Sequence, residues 1–263
     1  MNVIRSRDNL RVRRWRKLAT SRRARRSERR ALIEGVHLVS TLLASRGRLG
    51  ALIVSETGFA QREIAALVER SPVAPVILSD LLFRSIADAD SPAGIAAEIV
   101  LPMVAPNLAT CGGCVFLEGV QDAGNVGAIL RSAAAFNLGD AVLGPGCADA
   151  WSPKALRAGM GAHFALRIGT RTDLAAAIER FGGTIACTVA RDGVPVHIAD
   201  LRGRIGWIFG GEGQGVSAAL ASRAQLRVTI LMPGATESLN VAAAAAICFY
   251  ERSRQLSVSS SPD

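Results

Sequence analysis

The chain reads as an α/β protein in two parts, a small amino-terminal domain and a larger carboxyl-terminal domain built on a mainly parallel sheet. Three observations carry that reading. Short apolar runs alternate with helical apolar spacing along nearly the whole length, the pattern of strands covered by helices on both faces. The alternation breaks at Pro102, Pro106, Asn107 and Cys111-Gly-Gly-Cys114, turn-forming residues that place a domain boundary near 102–112. Beyond the break the chain is richer in glycine, and its strand-to-helix junctions are polar, which is where open parallel sheets bind ligands.

Before the break, a basic arm covers residues 1–30 and the small α/β domain covers 31–104. Helical periodicity spans 31–44 and 60–69; extended patterns span 49–55, 73–78 and 94–101, with a short helix between the last two. The second domain covers 113–255. It opens with a strand at 114–118 and a helix at 125–136, for which Asn125 is the expected cap. A strand at 141–143 and a helix at 153–160 follow. Strands near 164–168, 184–189, 205–209 and 226–231 interleave with helices at 173–181 and 216–222. A last helix runs from Ser238 to about 255, and the serine-rich tail 256–263 reads as disordered.

Of the 263 residues, 49% are hydrophobic and 20% charged, an ordinary globular composition with enough apolar material for a core. No apolar stretch approaches the roughly 18 residues of a membrane span, and the basic amino terminus lacks an apolar signal region. The expectation is a soluble, cytoplasmic protein that uses no membrane. Cys111, Cys114, Cys147, Cys187 and Cys248 are scattered and odd in number, which is not a disulfide framework. Cys111 and Cys114 have the spacing of half a zinc site. No second pair follows, and His37, His163 and His197 lie far apart in sequence, so no metal is expected.

Charge is concentrated at one end. Residues 1–30 hold 13 Arg or Lys against Asp8 and Glu28, whereas the rest of the chain holds 18 against 20. A basic segment on a near-neutral body is the electrostatic footprint of a polyanion, and arginine's planar fork suits phosphates and bases. Arg5, Arg7, Arg11, Arg13, Arg14, Arg16 and Lys17 are the leading candidates for contacts to nucleic acid. A solvated basic helix and a transit peptide remain the alternatives on charge alone. Asn9, Trp15 and Leu18, set among the charges, favour a packed segment.

Two junctions carry polar groups in an informative pattern. In Phe116-Leu117-Glu118-Gly119-Val120-Gln121-Asp122-Ala123-Gly124-Asn125-Val126-Gly127-Ala128-Ile129-Leu130-Arg131, a strand hands over to a helix bearing Asn125 and Arg131. Six residues apart, these two differ by roughly 120° around the helix, so a substrate over the helix start could meet both. In Trp207-Ile208-Phe209-Gly210-Gly211-Glu212-Gly213-Gln214-Gly215, a strand opens into a glycine loop. No register satisfies the dinucleotide or nucleotide-hydrolase phosphate loops, and the central carboxylate would repel a phosphate. A third junction, Ile230-Leu231-Met232-Pro233-Gly234-Ala235-Thr236-Glu237-Ser238-Leu239-Asn240-Val241, passes from a strand through a Pro-Gly turn to a helix start. Main-chain groups exposed there suit a planar, polar ligand.

In this order and spacing the three segments resemble the SpoU (TrmH-like) RNA 2′-O-ribose methyltransferases of the SPOUT superfamily. The resemblance covers residues 113–254. The preceding part looks like the L30e-like RNA-binding domain that many members carry. The resemblance implies a deep trefoil knot in the carboxyl-terminal domain and S-adenosyl-methionine as methyl donor, bound by Thr188, Gly210, Gly211, Ile230, Met232, Ser238, Leu239 and Asn240. It implies a homodimer and a reaction at a ribose 2′-hydroxyl, with Arg131, Asn125, Glu212, Ser238 and Asn240 as the catalytic set. A guanidinium is a poor base, so Arg131 reads as a phosphate-binding and alkoxide-stabilising group rather than a proton acceptor. Ala123, Leu231 and Ala242 depart from the family's usual Pro, Pro and Ser without removing any of these groups. Ribosomal RNA is the expected substrate; a transfer RNA methyltransferase and a non-catalytic RNA-binding assembly factor are the alternatives.

Overall fold

The computed structural model describes residues 3–45 and 47–258. These form two units, one made of residues up to Met103 together with Asp149–Phe164, the other of Val104–Ala148 and the residues from Ala165 onward.

In the first unit, helices α1 (Leu10–Thr20) and α2 (Arg22–Glu28) lead into strand β1 (Arg30–Glu34) and helix α3 (Val36–Ala44). Strand β2 (Arg48–Ser55), helices α4 (Glu56–Phe59) and α5 (Arg62–Glu69), strand β3 (Pro75–Leu78), helix α6 (Asp80–Arg84) and strand β4 (Ile95–Val100) follow. The sheet order is β1-β4-β2-β3, with β4 antiparallel to both neighbours and β2 parallel to β3. The expected helix at 31–44 is therefore a strand followed by a helix. Ala31, Leu32 and Ile33 are buried in succession, and Gly35, at φ 97°, turns the chain between the two elements.

Residues 1–30 are not an appended arm. Val12, Trp15 and Leu18, three residues apart on α1, are buried in a core with Leu32, Ile53, Leu78 and Phe83. Asn9 caps the helix, its side chain accepting from the Arg11 amide at 3.0 Å. The Trp15 Nε1–H donates to buried Glu98 at 2.8 Å. The same carboxylate pairs with Arg14 at 2.5 Å and with Arg30.

Residues 149–164, expected inside the larger domain, group with this first unit. Helix α8 (Pro153–Gly159) packs against β1 with its Ala155 and Leu156 buried, and Asp149 pairs with buried Arg25 at 2.7 Å. Trp151 lies 5.2 Å, centroid to centroid, from the ring of His163. His163 donates from Nε2 to the Ala150 carbonyl at 2.7 Å. Burial lowers its pKa to about 4, so the imidazole is neutral.

The second unit runs β5 (Gly113–Glu118), α7 (Ala123–Ala135), β6 (Asp140–Leu143), β7 (Arg167–Thr170), α9 (Leu174–Glu179), β8 (Thr184–Thr188), β9 (Val194–Pro195), β10 (Ile205–Gly210), α10 (Ala218–Ala221), β11 (Leu226–Thr229) and α11 (Val241–Val258). Its seven strands are ordered β7-β6-β5-β10-β8-β11-β9, and every neighbouring pair is parallel. The mainly parallel α/β expectation holds; only the two-residue edge strand β9 had no sequence signal. β10 is buried along its whole length at the sheet centre. The last helix starts at Val241 rather than Ser238 and continues to Val258, so 256–258 are helical; the remainder of the expected tail, 259–263, lies outside the described residues.

All five cysteines are buried and unbridged. Burial raises the Cys111 and Cys114 thiol pKa values, with Asp140 nearby adding to the effect. Among the described residues no group of three His, Cys, Asp or Glu is arranged to hold a metal ion, and no helix is long and apolar enough to cross a membrane.

Candidate active site

Within the second unit, the carboxyl ends of β8, β10 and β11 open into a cavity of about 640 Å³. This is the edge at which parallel sheets expose main-chain groups and receive ligands. Thr188, Gly210, Gly211, Ile230, Met232, Ser238, Leu239 and Asn240, drawn from three separate segments of sequence, all line it. Residues 230–240 between β11 and α11 belong to no strand or helix, which leaves main-chain amides and carbonyls for recognition of a ligand.

The glycine loop leaving β10 is built by close backbone approach. A Cβ on Gly210 would come within 1.9 Å of the Gly215 backbone, and one on Gly211 within 2.3 Å of the Gly119 carbonyl oxygen. The Gly215 amide closes the loop on the Gly211 carbonyl at 3.0 Å. Among the described residues, Glu212 in the loop and Glu237 before the last helix are the charged residues that line the cavity. The sequence offered no reason to single out Glu237 beyond its place beside Ser238.

Side-chain amides tie the loop to both helices. The Asn125 Nδ2 donates to Glu212, and its Oδ1 accepts from the Asn240 Nδ2 at 3.0 Å. The Asn240 Oδ1 in turn accepts from the amides of Ala242 at 2.9 Å and Ala243 at 3.3 Å. Asn240 is thus the cap of α11. The orientation of each amide in the chain follows, because a carboxylate can only accept and a helix N–H can only donate.

The cap of α7 is Asp122, not Asn125: the Asp122 carboxylate accepts from the Asn125 amide at 2.9 Å. An acidic cap complements the positive helix end and releases the Asn125 side chain to bond Glu212 and Asn240. Arg131 lies six residues further along the same helix and is exposed. Among the described residues its guanidinium has no hydrogen-bond or ion-pair partner. Ser238 lines the cavity and is exposed. Asn125 therefore bridges Glu212 and Asn240; Arg131 shares the helix of Asn125 without joining this network.

The cations of α1 and its approach divide into two groups. Arg7, Arg11, Arg13, Arg16 and Lys17 are exposed. Arg5 is exposed but engages Glu56, with Nη1 donating at 3.1 Å, and Arg14 pairs with Glu28 at 2.9 Å as well as with Glu98.

The second unit belongs to a known class of folds. The chain superimposes on a crystal structure of an RNA 2′-O ribose methyltransferase with TM-score 0.80 and 28% identity, covering 97% of this chain and 99% of that one. An AdoMet-bound rRNA methyltransferase from Sinorhizobium meliloti shares the fold at TM-score 0.83 and 24% identity, covering 97% and 98%. These define the class: an RNA methyltransferase built on a parallel α/β sheet. Residues 113–250 match the SpoU rRNA methylase family and residues 9–97 the MRM3-like substrate binding domain. The 23S rRNA (guanosine(2553)-2′-O)-methyltransferase RlmP of Bacillus subtilis (strain 168) is 34% identical over 253 residues, 95% of this chain and 98% of its own length. The chain belongs to the SpoU family of rRNA methylases.

Proposed function

We propose that this protein transfers the methyl group of S-adenosyl-methionine to a ribose 2′-hydroxyl of ribosomal RNA, working in the cytoplasm as a homodimer. The observation that carries the proposal is the convergence of the eight expected donor-site residues on one cavity, beside the Glu212–Asn125–Asn240 chain. The cavity fits such a donor chemically. Irregular main chain at 230–240 suits the edge of an adenine ring, Phe209 and Leu239 supply apolar walls, and the carboxylates of Glu212 and Glu237 suit a positively charged sulfonium.

The bound donor supplies an electrophilic methyl group; the protein's task is to position the hydroxyl and accommodate the charge it develops. Arg131, exposed and without a partner among the described residues, binds the phosphate next to the target ribose and stabilises the charge on the 2′-oxygen as its proton passes to solvent water. Asn125 orients the ribose. Its amide is locked between Glu212 and Asn240, so little ordering remains to be done when substrate arrives. Ser238 and Asn240 shape the wall nearest the last helix. In this reading the segment 230–240 threads through a neighbouring loop to form a trefoil knot, which would hold an irregular segment rigid without regular hydrogen bonding. The pair of helices α7 and α11, with Ile247 and Tyr250 exposed on the latter, forms the dimer face.

The match of residues 9–97 to a substrate-binding domain and the ribosomal substrate named for the Bacillus relative support ribosomal RNA bound in part by the first unit. Calorimetric titration with S-adenosyl-methionine tests the donor. No binding, even with RNA present, would leave an RNA-binding factor instead. Mapping 2′-O-methyl sites in RNA from cells with and without the protein tests the substrate, and a lost site in transfer RNA would redirect the assignment.

A further inference from the structure

We infer that Glu118, which does not line the cavity, is a positioning residue that sets how tightly the methyl donor is held. The inference rests on reading the cavity as the methyl-donor site. Glu118 ends β5 directly beside Gly210 of β10 in the parallel register. Its carboxylate accepts the backbone N–H of Ser217 at 2.7 Å. Ser217 is the residue at which the glycine loop ends and α10 begins, its own hydroxyl accepting from the Leu220 amide at 3.4 Å.

The loop is thus held at three points by one short stretch of chain. At its entrance Gly211 rests on the Gly119 carbonyl. At its middle Asn125 binds Glu212. At its exit Glu118 holds the Ser217 amide. Residues 118–125 form a cradle, and residues 210–216 of the cradled loop are the ones that face the ligand. The entrance is fixed by backbone packing and the exit also by Val216, which packs against the core; the polar tie at the exit is the Glu118 bond. A hydrogen bond to a charged acceptor is shorter and about twice as strong as a neutral one. Without it the loop samples wider conformations, and the donor must order the loop as it binds. That cost falls on donor affinity; once bound donor has ordered the loop, Glu212 again holds Asn125, and the step at the ribose oxygen is unchanged.

Titration of S-adenosyl-methionine into the full-length protein by calorimetry, with turnover at saturating donor measured in parallel, tests this. Glu118→Ala is expected to weaken donor binding about tenfold or more. Glu118→Gln keeps a side-chain oxygen for the Ser217 amide and is expected to stay within about threefold of the parent, on the strength difference between charged and neutral acceptors. Turnover at saturation should be near the parent value for both.

A second pair of variants needs no change at Glu118. Ser217 has φ −61°, within proline's range, so Ser217→Pro deletes the N–H and displaces the Glu118 carboxylate from it while Ser217→Ala keeps the bond. Ser217→Pro is expected to bind the donor about tenfold more weakly than Ser217→Ala, and Glu118→Ala added to Ser217→Pro should cost little more, as for two halves of one contact. Should Glu118→Ala fail to fold, the Ser217 pair decides alone. Parent-like binding by Glu118→Ala and Ser217→Pro, or equal weakening by Glu118→Ala and Glu118→Gln, would overturn the role of Glu118. Failure of the parent protein to bind the donor would overturn the reading of the cavity itself.

Discussion

In the first unit Glu98 is buried and holds Trp15, Arg14 and Arg30, and buried Arg25 meets Asp149. In the second, Glu212 stands exposed beside a cavity, bonded to one amide side chain, and Arg131 has no partner among the described residues. The same residue types do opposite work. Where acid and base are desolvated together they fix a core, and removing one leaves the other stranded. Where they stand singly, Glu212 in its loop and Arg131 on α7, no core depends on them, and the function proposed above gives them to the ligand and the substrate. A count of charges along the sequence cannot separate these uses, since Arg13 and Arg14 are neighbours and only Arg14 is bound to Glu98.

That contrast can be broken or sharpened experimentally. Arg131→Ala should lower turnover on RNA on the order of 10²–10³-fold, the usual loss when a charge-stabilising group is removed. Donor affinity by calorimetry should hardly move, and retained turnover would remove Arg131 from the mechanism. Glu98→Ala should destabilise the first unit by about 2–3 kcal/mol, below the full cost of breaking a buried pair because Arg14 and Arg30 are partly exposed; urea unfolding followed by tryptophan fluorescence reads this, with donor binding to the second unit retained.

His163 gives the first unit a pH dependence of definite sign. Its pKa is about 4 when folded against an ordinary 6.5, so the unfolded chain takes up the proton first. Stability is complete above about pH 6.5 and is lost as pH falls toward 4, by about 2 kcal/mol between pH 7 and pH 5. Unfolding curves at these pH values should show that slope, and His163→Gln should flatten it. The smallest effect separates the exposed from the tied cations of α1. Arg11→Ala should reduce the log–log salt slope of RNA binding by about 0.7, one single-strand phosphate contact, whereas Arg14→Ala should leave it unchanged.

The alternation of strands and helices in the second unit was legible where strand ends carry turn residues or glycine, as after β5, β6 and β10. The cavity was legible because glycines needed for close backbone approach, at Gly210 and Gly211, leave a mark in composition. The caps were less so. Asp122 and Asn125 are both good caps by type, and only the bond from the Asn125 amide to Asp122 decides between them. At 31–44 the apolar run fits a buried strand or a helix equally well, and Gly35 was the one punctuating residue. Glu118 left no signal at all, since its partner is a backbone amide 99 residues away. The folded state of residues 1–30 was hinted at by Trp15 and Leu18, but net charge outweighed a three-residue apolar stripe.

Residues 149–164 have a practical consequence for anyone who treats the protein as modular. The chain passes between its two units three times, near residues 103, 148 and 164, although the substrate-binding match spans only residues 9–97. A transplant of that span alone into a relative would leave behind Asp149, Trp151, Leu156 and His163, and with them the partner of buried Arg25. The smallest exchangeable cassette is therefore discontinuous: a graft of the first unit needs its second, sixteen-residue piece, inserted between β6 and β7 of the recipient.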